Sequence, residues 1–309
     1  MTVQNQTQLQ RELDRQAWKG GYVEVDPDAC PILIDRQVTM RDVTIIGQHR
    51  TPQVYVNVPT FEIAAGLQKS PFSFRGAGGG FVGCSFKHLG QTNPQAVKPY
   101  PPTILVEEHE HSNLITVRDC TFVNSYHMID VRNGRFNLEH IYGQVLDVGI
   151  SIENSRDTGR MSNLHFWPFW SLAAIRYWPD SNSRAIVLHR ADWTQMENIF
   201  IYGVHVGIQT GGDADASADF SIANLGIDAC YVGLDLYQTG SGGIQINNMR
   251  VAGNRSHGGP AAIPIHSATT AVIRGAVQIA NLHLHGDIQT ESIWPHDRAR
   301  LQIVNSYRR

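Results

Sequence analysis

Read as an order of apolar and polar positions, the chain repeats itself, and the repeat decides the fold class before composition does. The pattern apolar, any, Asn-like, apolar, any, apolar occurs as MRDVTI (40–45), FVGCSF (81–86), VRDCTF (117–122), LEHIYG (138–143) and MSNLHF (161–166). It continues as MENIFI (196–201), IANLGI (222–227), INNMRV (246–251) and IANLHL (279–284). The third position reads Asp42, Gly83, Asp119, His140, Asn163, Asn198, Asn224, Asn248 and Asn281. Nine residues after Asp119, His140, Asn198 and Asn224 stand MIDV (128–131), GISI (149–152), GIQT (207–210) and GLDL (233–236); the Asn163 copy reaches AIRY (174–177) after two further residues. Short alternating segments of this kind are strands with one face in and one face out. Asn, Asp and Gly between them tolerate a left-handed corner, and Asn side chains stacked over one another form a ladder of amides.

The expected architecture is all-β, a coil of short parallel strands stacked repeat on repeat. Cys84 and Cys120 fall in one column, one position past the corner, shared with Val43, Ile141, Leu164, Ile199, Leu225, Met249 and Leu282, so both are read as buried apolar thiols. Cys30 and Cys230 show no CxxC spacing, which leaves zinc unsupported. Before the repeats, QLQRELDRQ has helical periodicity, with Leu9, Leu13 and Trp18 expected to shield the open end of the coil. The division is therefore a capping helix over 1–19 and strands over 20–309. An α/β barrel needs about eight amphipathic helices, and only this one is legible.

Those repeats, with the opening QLQRELDRQAWKGGYVEVDPDACPILIDRQVTMRDVTIIG, resemble the right-handed, single-stranded parallel β-helix of the pectate-lyase-like superfamily, and the resemblance covers about residues 20–309. MSNLHFWPFW (161–170) resembles a stretch of bacterial and phage β-helix proteins, the tailspikes and related particle spikes among them. The resemblance implies a polysaccharide ligand, homotrimeric assembly and a working surface on the strands of the GISI type.

Composition narrows the partners. The 309 residues carry a net charge of -3, with 25 basic and 28 acidic residues and no basic cluster, which argues against nucleic acid. No apolar run approaches the roughly 18 to 20 residues of a spanning helix, so membrane insertion is not expected. The start MTVQNQTQLQ lacks the apolar core of a signal peptide; synthesis in the cytoplasm followed by display on a virion or particle is one expectation, and an extracellular protein whose leader was removed is the other. Arg outnumbers Lys 21 to 4, which suits bidentate recognition of carboxylates and is equally the mark of a GC-rich genome.

By the two-residue alternation, the outward residues of the implied working strip are Asp130 and Arg132, Ser151 and Glu153, Arg176 and Trp178, Gln209, then Asp235 and Tyr237, with His127, Asp147 and His205 just before their strands. Asp130, Asp147, Glu153 and Asp235 are the candidate catalytic carboxylates, since pairs at 5 to 10 Å carry out glycoside hydrolysis. His127 or His205 beside Arg176 is the alternative, with Arg holding a uronate and His taking the proton of a lyase reaction. Arg132, Arg176, Trp178, Gln209, Tyr237, Trp167 and Trp170 are the candidate glycan-binding residues, the aromatics because sugar C–H faces stack on rings. The linear motifs of polygalacturonase-type hydrolases and of classical pectate lyases are missing, which favours binding over turnover. No cofactor and no metal is expected: EEHEH (107–111) reads as a solvated loop, and His283, His285 and Asp287 form only a weak candidate triad. The leading expectation is a glycan-recognising spike, with depolymerisation open; the alternative is a free polysaccharide lyase, hydrolase or epimerase, and a non-enzymatic lectin is a third class.

Overall fold

A computed structural model describes residues 2–49, 58–93, 96–107, 114–167, 183–211, 217–253, 262–289 and 300–308. The protein is 66% strand, and every strand pairing is parallel. Each strand pairs with one a repeat later, and the pairings resolve into three ladders.

The three ladders are most simply followed through their inward columns. In the first, Val23, Ile45, Phe81, Val117, Leu138, Met161, Met196, Ile222, Ile246, Ile279 and Ile303 are successive partners. The second runs Ile32, Phe61, Phe86, Phe122, Gly143, Phe166, Ile201, Ile227, Val251 and Leu284. The third runs Val38, Phe72, Ile104, Ile129, Ile150, Ile186, Ile208, Leu234 and Ile265. Nearly all of these side chains belong to one continuous buried core. The columns also touch one another, Phe61 meeting Phe72 at 5.0 Å and Phe72 meeting Phe81 at 5.1 Å between ring centroids, while within the second column Phe86 stacks on Phe122 at 4.8 Å. Gly143 interrupts the second column because the Met128 thioether fills the place its Cβ would take.

Between the first and second ladders lies the expected corner. Gly83, Asp119, His140, Asn163 and Asn198 have positive φ, from 49° to 67°, the left-handed region that Gly, Asn and Asp accept most readily. An amide ladder runs along the same column: Asn198 donates to Asn163 at 3.2 Å, Asn224 to Asn198 at 2.9 Å, Asn248 to Asn224 at 2.9 Å and Asn281 to Asn248 at 3.0 Å. Asn224, Asn248 and Asn281 pair in register as ordinary strand, so the ladder outlasts the left-handed corner that begins it. Asn305 donates to Asn281 at 3.0 Å and extends it by one step. LQIVNSYR (301–308) is thus a tenth repeat, legible beside VQIANLHL (277–284) and missed by the sequence reading.

Three expectations need correction. MRDVTI was aligned five residues early: Ile46 pairs with Val82, so Gly47 stands opposite Gly83, while Asp42 lies back beside Gly78, whose N–H it accepts at 2.8 Å. Val43 is buried but does not share the column of Cys84 and Cys120, which are neighbours and fully buried as expected. Burial, with Cys120 alongside, pushes the Cys84 thiol well up, as befits an inert apolar group. Second, the rung between GISI and GIQT is filled by 185–188 (AIVL): Ile150 pairs with Ile186 and Ile186 with Ile208. AIRY, and with it Arg176, lies outside the described residues. Third, Trp18 does not shield the core. The helix Gln6–Gln16, capped by Asn5, buries Leu9 and Leu13 as expected, but Trp18 follows it in a turn at φ 66° and is 61% exposed. The strand Thr2–Val3 ahead of the helix joins the first ladder on Glu24 and Val25.

His88 tests the core. Its Nε2 lies 2.8 Å from the Thr103 hydroxyl, and burial lowers its pKa from the ordinary 6.5 to about 3. The unfolded chain takes up this proton near pH 6.5 and the folded chain only near pH 3, so stability falls as pH drops through that window. His88→Gln should flatten this part of the pH dependence, read from urea unfolding midpoints at pH 7 and pH 5; an unchanged slope would mean His88 is not buried neutral.

Candidate functional site

The outward side of the third ladder collects the charged and hydroxyl side chains that the alternation selected. Its central column reads Asp130, Ser151, Val187, Gln209, Asp235 and His266 in successive partners. Two positions further along each strand, Arg132, Glu153, His189 and Tyr237 occupy successive repeats, Gly211 taking one place between His189 and Tyr237. Val187 and His189 therefore hold the places assigned to Arg176 and Trp178. The error came from counting forward from Asn163. Counted back from the next corner, Ile186 stands 12 residues before Asn198, close to the 11 from Ile129 to His140 and the 13 from Ile150 to Asn163.

At one end of the strip the Ser151 hydroxyl lies 2.9 Å from Asp130 Oδ1 and 3.0 Å from His127 Nε2, and Arg132 Nε donates to Asp130 Oδ2 at 3.0 Å. A carboxylate paired with Arg only accepts, so the single Ser151 proton points to Asp130 and His127 Nε2–H donates to the Ser151 oxygen. Burial holds His127 below its ordinary pKa, opposed by the charges of Asp130 and Asp147, so the ring is neutral at neutral pH. A serine nucleophile needs its proton aimed at the histidine and the carboxylate behind that histidine; this arrangement has the order reversed, so Ser151 is a connector.

Next along the strip, Arg184 binds Asp147 Oδ1 at 3.1 Å, and Tyr126 hydrogen-bonds the same carboxylate. Burial, then Asp147, raises the Tyr126 hydroxyl's pKa and keeps it protonated as a donor. Glu153 faces His189 Nε2 at 3.6 Å. At the far end His266 Nδ1 lies 2.7 Å from Asp235 Oδ1, and Tyr237 hydrogen-bonds Asp235, its pKa raised by burial and then by that charge. Between the two ends Gln209 Oε1 is buried with no hydrogen-bond partner among the described residues. The His205 ring packs on Tyr231 at 5.0 Å, beside the buried Val206, Val232 and Ile263, and so lines the strip's edge as an aromatic surface.

The structure thus brings together Asp130, Arg132, Asp147, Glu153, His127, Gln209, Asp235 and Tyr237. Trp167 is not among them. It continues the second ladder's outward side, where it stacks on His165 at 5.2 Å, with Tyr142 and Phe200 at the edges of that ring. Trp170 and Trp178 lie outside the described residues, as does most of EEHEH. Sequence reasoning missed Arg184, Tyr126, His189 and His266; the displaced rung hid Arg184 and His189, whereas His266, one position past Ile265 as Asp235 is past Leu234, was open to the same alternation. Among the described residues no three His, Cys, Asp or Glu form a metal-ligand cluster, and no helix is long and apolar enough to cross a membrane. Comparison with protein-family models, curated proteins and solved structures finds no match for this chain.

Ser151 is the joint of the first cluster, and Ser151→Ala should expose its role. The change leaves His127 Nε2–H and Asp130 Oδ1 short of a buried partner, an expected loss of about 1–3 kcal/mol. Denaturant unfolding measures it; a loss below about 0.5 kcal/mol would show that water replaces the hydroxyl at no cost.

Proposed function

We propose that the chain is a right-handed parallel β-helix of the pectate-lyase-like kind that binds a polysaccharide along the outward strip of its third ladder. One observation carries the reading: Asp130, Ser151, Gln209, Asp235 and His266 share a single column, with Arg132, Arg184, Tyr126 and Tyr237 at its margins. Parallel strands step by about 4.8 Å, so this column spans about 24 Å, room for several sugar units. Carboxylates accept from sugar hydroxyls, and the arginines and tyrosines donate to them or to a uronate.

Binding is favoured over cleavage by what the carboxylates already do. A hydrolase needs one carboxylic acid free to protonate the leaving oxygen. Asp130 instead accepts from Ser151 and Arg132, Asp147 from Arg184, and Asp235 lies against His266. Arg184 takes the role first given to Arg176, that of orienting a sugar carboxylate. The protein is read as a spike-type, homotrimeric receptor for surface or capsular glycan; a free lyase, hydrolase or epimerase is the competing outcome.

Three measurements test this. Arg184→Ala should weaken binding of acidic capsular polysaccharide by about tenfold to a hundredfold, the loss of one charge-assisted hydrogen bond; equal binding by wild type and variant in calorimetry places the site elsewhere. New reducing ends or unsaturated products from that polysaccharide would establish cleavage. In multi-angle light scattering the protein should have three times the chain mass; a monomer mass in dilute buffer removes the trimer.

A further inference from the structure

The first ladder carries a different outward surface. Its exposed column reads Asn137, Arg160, Gln195, Ser221 and Gln245 in successive partners and continues as Gln278 and Gln302. At the far end the amides close on each other, Gln278 donating to Gln302 at 2.9 Å. Between Gln195 and Gln245 that closure is broken, because the short Ser221 stands where another amide would bridge the two repeats. There the surface sinks into a hollow of about 510 Å³, rimmed by Arg160, Glu197 and Asn247. Gln195, Ser221 and Gln245 also line a second hollow of about 210 Å³, at whose edge stands Trp193.

Trp193 is unusual twice over. It is 71% exposed, and its backbone is left-handed, at φ 56°. It belongs to a bulge: Ala191 pairs with Ala218 and Thr194 with Phe220, so Asp192 and Trp193 together oppose the single Asp219. A bulge re-aims a side chain, and a bulky residue in the left-handed region is strained. Neither that strain nor the exposed indole helps the fold, since Trp193 is not part of the core. What they provide is a flat aromatic face standing over an amide-lined groove.

The chemistry of the groove identifies its occupant. Gln, Asn and Ser side chains both donate and accept, which matches the alternating demands of sugar hydroxyls. Arg160 and Glu197 offset each other, and the Asp219 carboxylate is held by the Gly243 N–H at 2.7 Å, so nothing here attracts a polyanion. The apolar side chains beneath the groove, Met161, Met196 and Ile222, are buried, so it lacks the apolar centre of a protein interface. We propose that this groove is a second saccharide site, which takes a neutral oligosaccharide with one pyranose ring on Trp193 and neighbouring hydroxyls on Gln195 and Gln245. It lies on a different ladder from the acidic strip and does not depend on that strip being a glycan site.

The test uses the full chain against an array of uncharged and acidic bacterial polysaccharides, followed by calorimetry with the best neutral oligosaccharide. Trp193→Ala should weaken neutral binding about tenfold or more and leave any acidic polysaccharide binding intact. Gln195→Ala with Gln245→Ala should weaken it similarly while Trp193 remains. Trp193→Asn serves as the folding control: Asn accepts the left-handed backbone, so this variant should melt no lower than wild type and still lose the neutral sugar. The proposal is overturned if wild type retains no neutral glycan, if Trp193→Ala binds as well as wild type, or if Trp193→Ala changes the mass in light scattering, which would make this face a contact between copies of the chain.

Discussion

An inward side chain stacked over its counterpart one repeat away is the interaction on which the rest of the structure depends. The parallel register sets such counterparts about 4.8 Å apart, close enough for aliphatic and aromatic groups to pack without gaps. Each column must then present similar bulk at every step. Val, Ile, Leu, Met and Phe interchange in the three columns, and where one repeat offers Gly143, Met128 supplies the missing volume. A slip of one residue would turn every inward side chain outward. The register is therefore fixed by the core as a whole, and the outward residues inherit their alignment from it.

That dependence explains what was legible in the sequence. The middle of the chain, from Asp119 to Asn281, showed its repeat because both an apolar inward position and a polar corner recur there, and the Asn ladder and the Cys84–Cys120 column followed. Near the start the corner letter misled. Asp42 also has a left-handed backbone, at φ 55°, but it belongs to another turn, and the position opposite the Gly83 corner is Gly47, in a sequence with little resemblance to the consensus. The third ladder was read by its distance after the corner, and that distance is the most elastic part of the repeat. Apolar stacking tolerates extra residues between ladders so long as the next inward side chain lands on its column, so a forward count from Asn163 stops at AIRY, 11 residues on, whereas the column is filled by AIVL, 22 residues on.

The same elasticity separates what the core dictates from what it permits. Inward positions have almost no freedom. Outward positions are free to differ face by face, and they do: the first ladder shows mostly amides with Arg160 and Glu197 offsetting each other among them, the second an aromatic column of Tyr142, His165 and Phe200, and the third carboxylates with Arg, Tyr and His partners. A solvated surface has no need for such segregation, since any polar side chain keeps an exposed strand soluble. Ligands that recognise amides and ligands that recognise charges would find separate faces, which is the sense of proposing two saccharide sites.

The third-ladder strip carries a cost that the fold does not require. Asp130 and Asp235 stand at outward positions yet are only 4% and 6% exposed, and Val187 in the same column shows that an apolar side chain is accommodated there. Well-packed apolar groups in place of buried ion pairs are often neutral or stabilising by about 1–4 kcal/mol, so stability alone does not account for these charges. Each carboxylate of the strip also has a partner on another strand of the stack: Asp130 reaches Ser151, Asp147 reaches Arg184, and Asp235 reaches His266. Each pair is assembled only when two strands are in register, and each holds a side chain that would otherwise rotate freely. Fixed donors and acceptors lose less entropy when a ligand arrives, which offsets the desolvation already incurred in folding. The Gln209 oxygen, buried midway along the strip with no hydrogen-bond partner among the described residues, adds a further polar cost that stability alone does not account for.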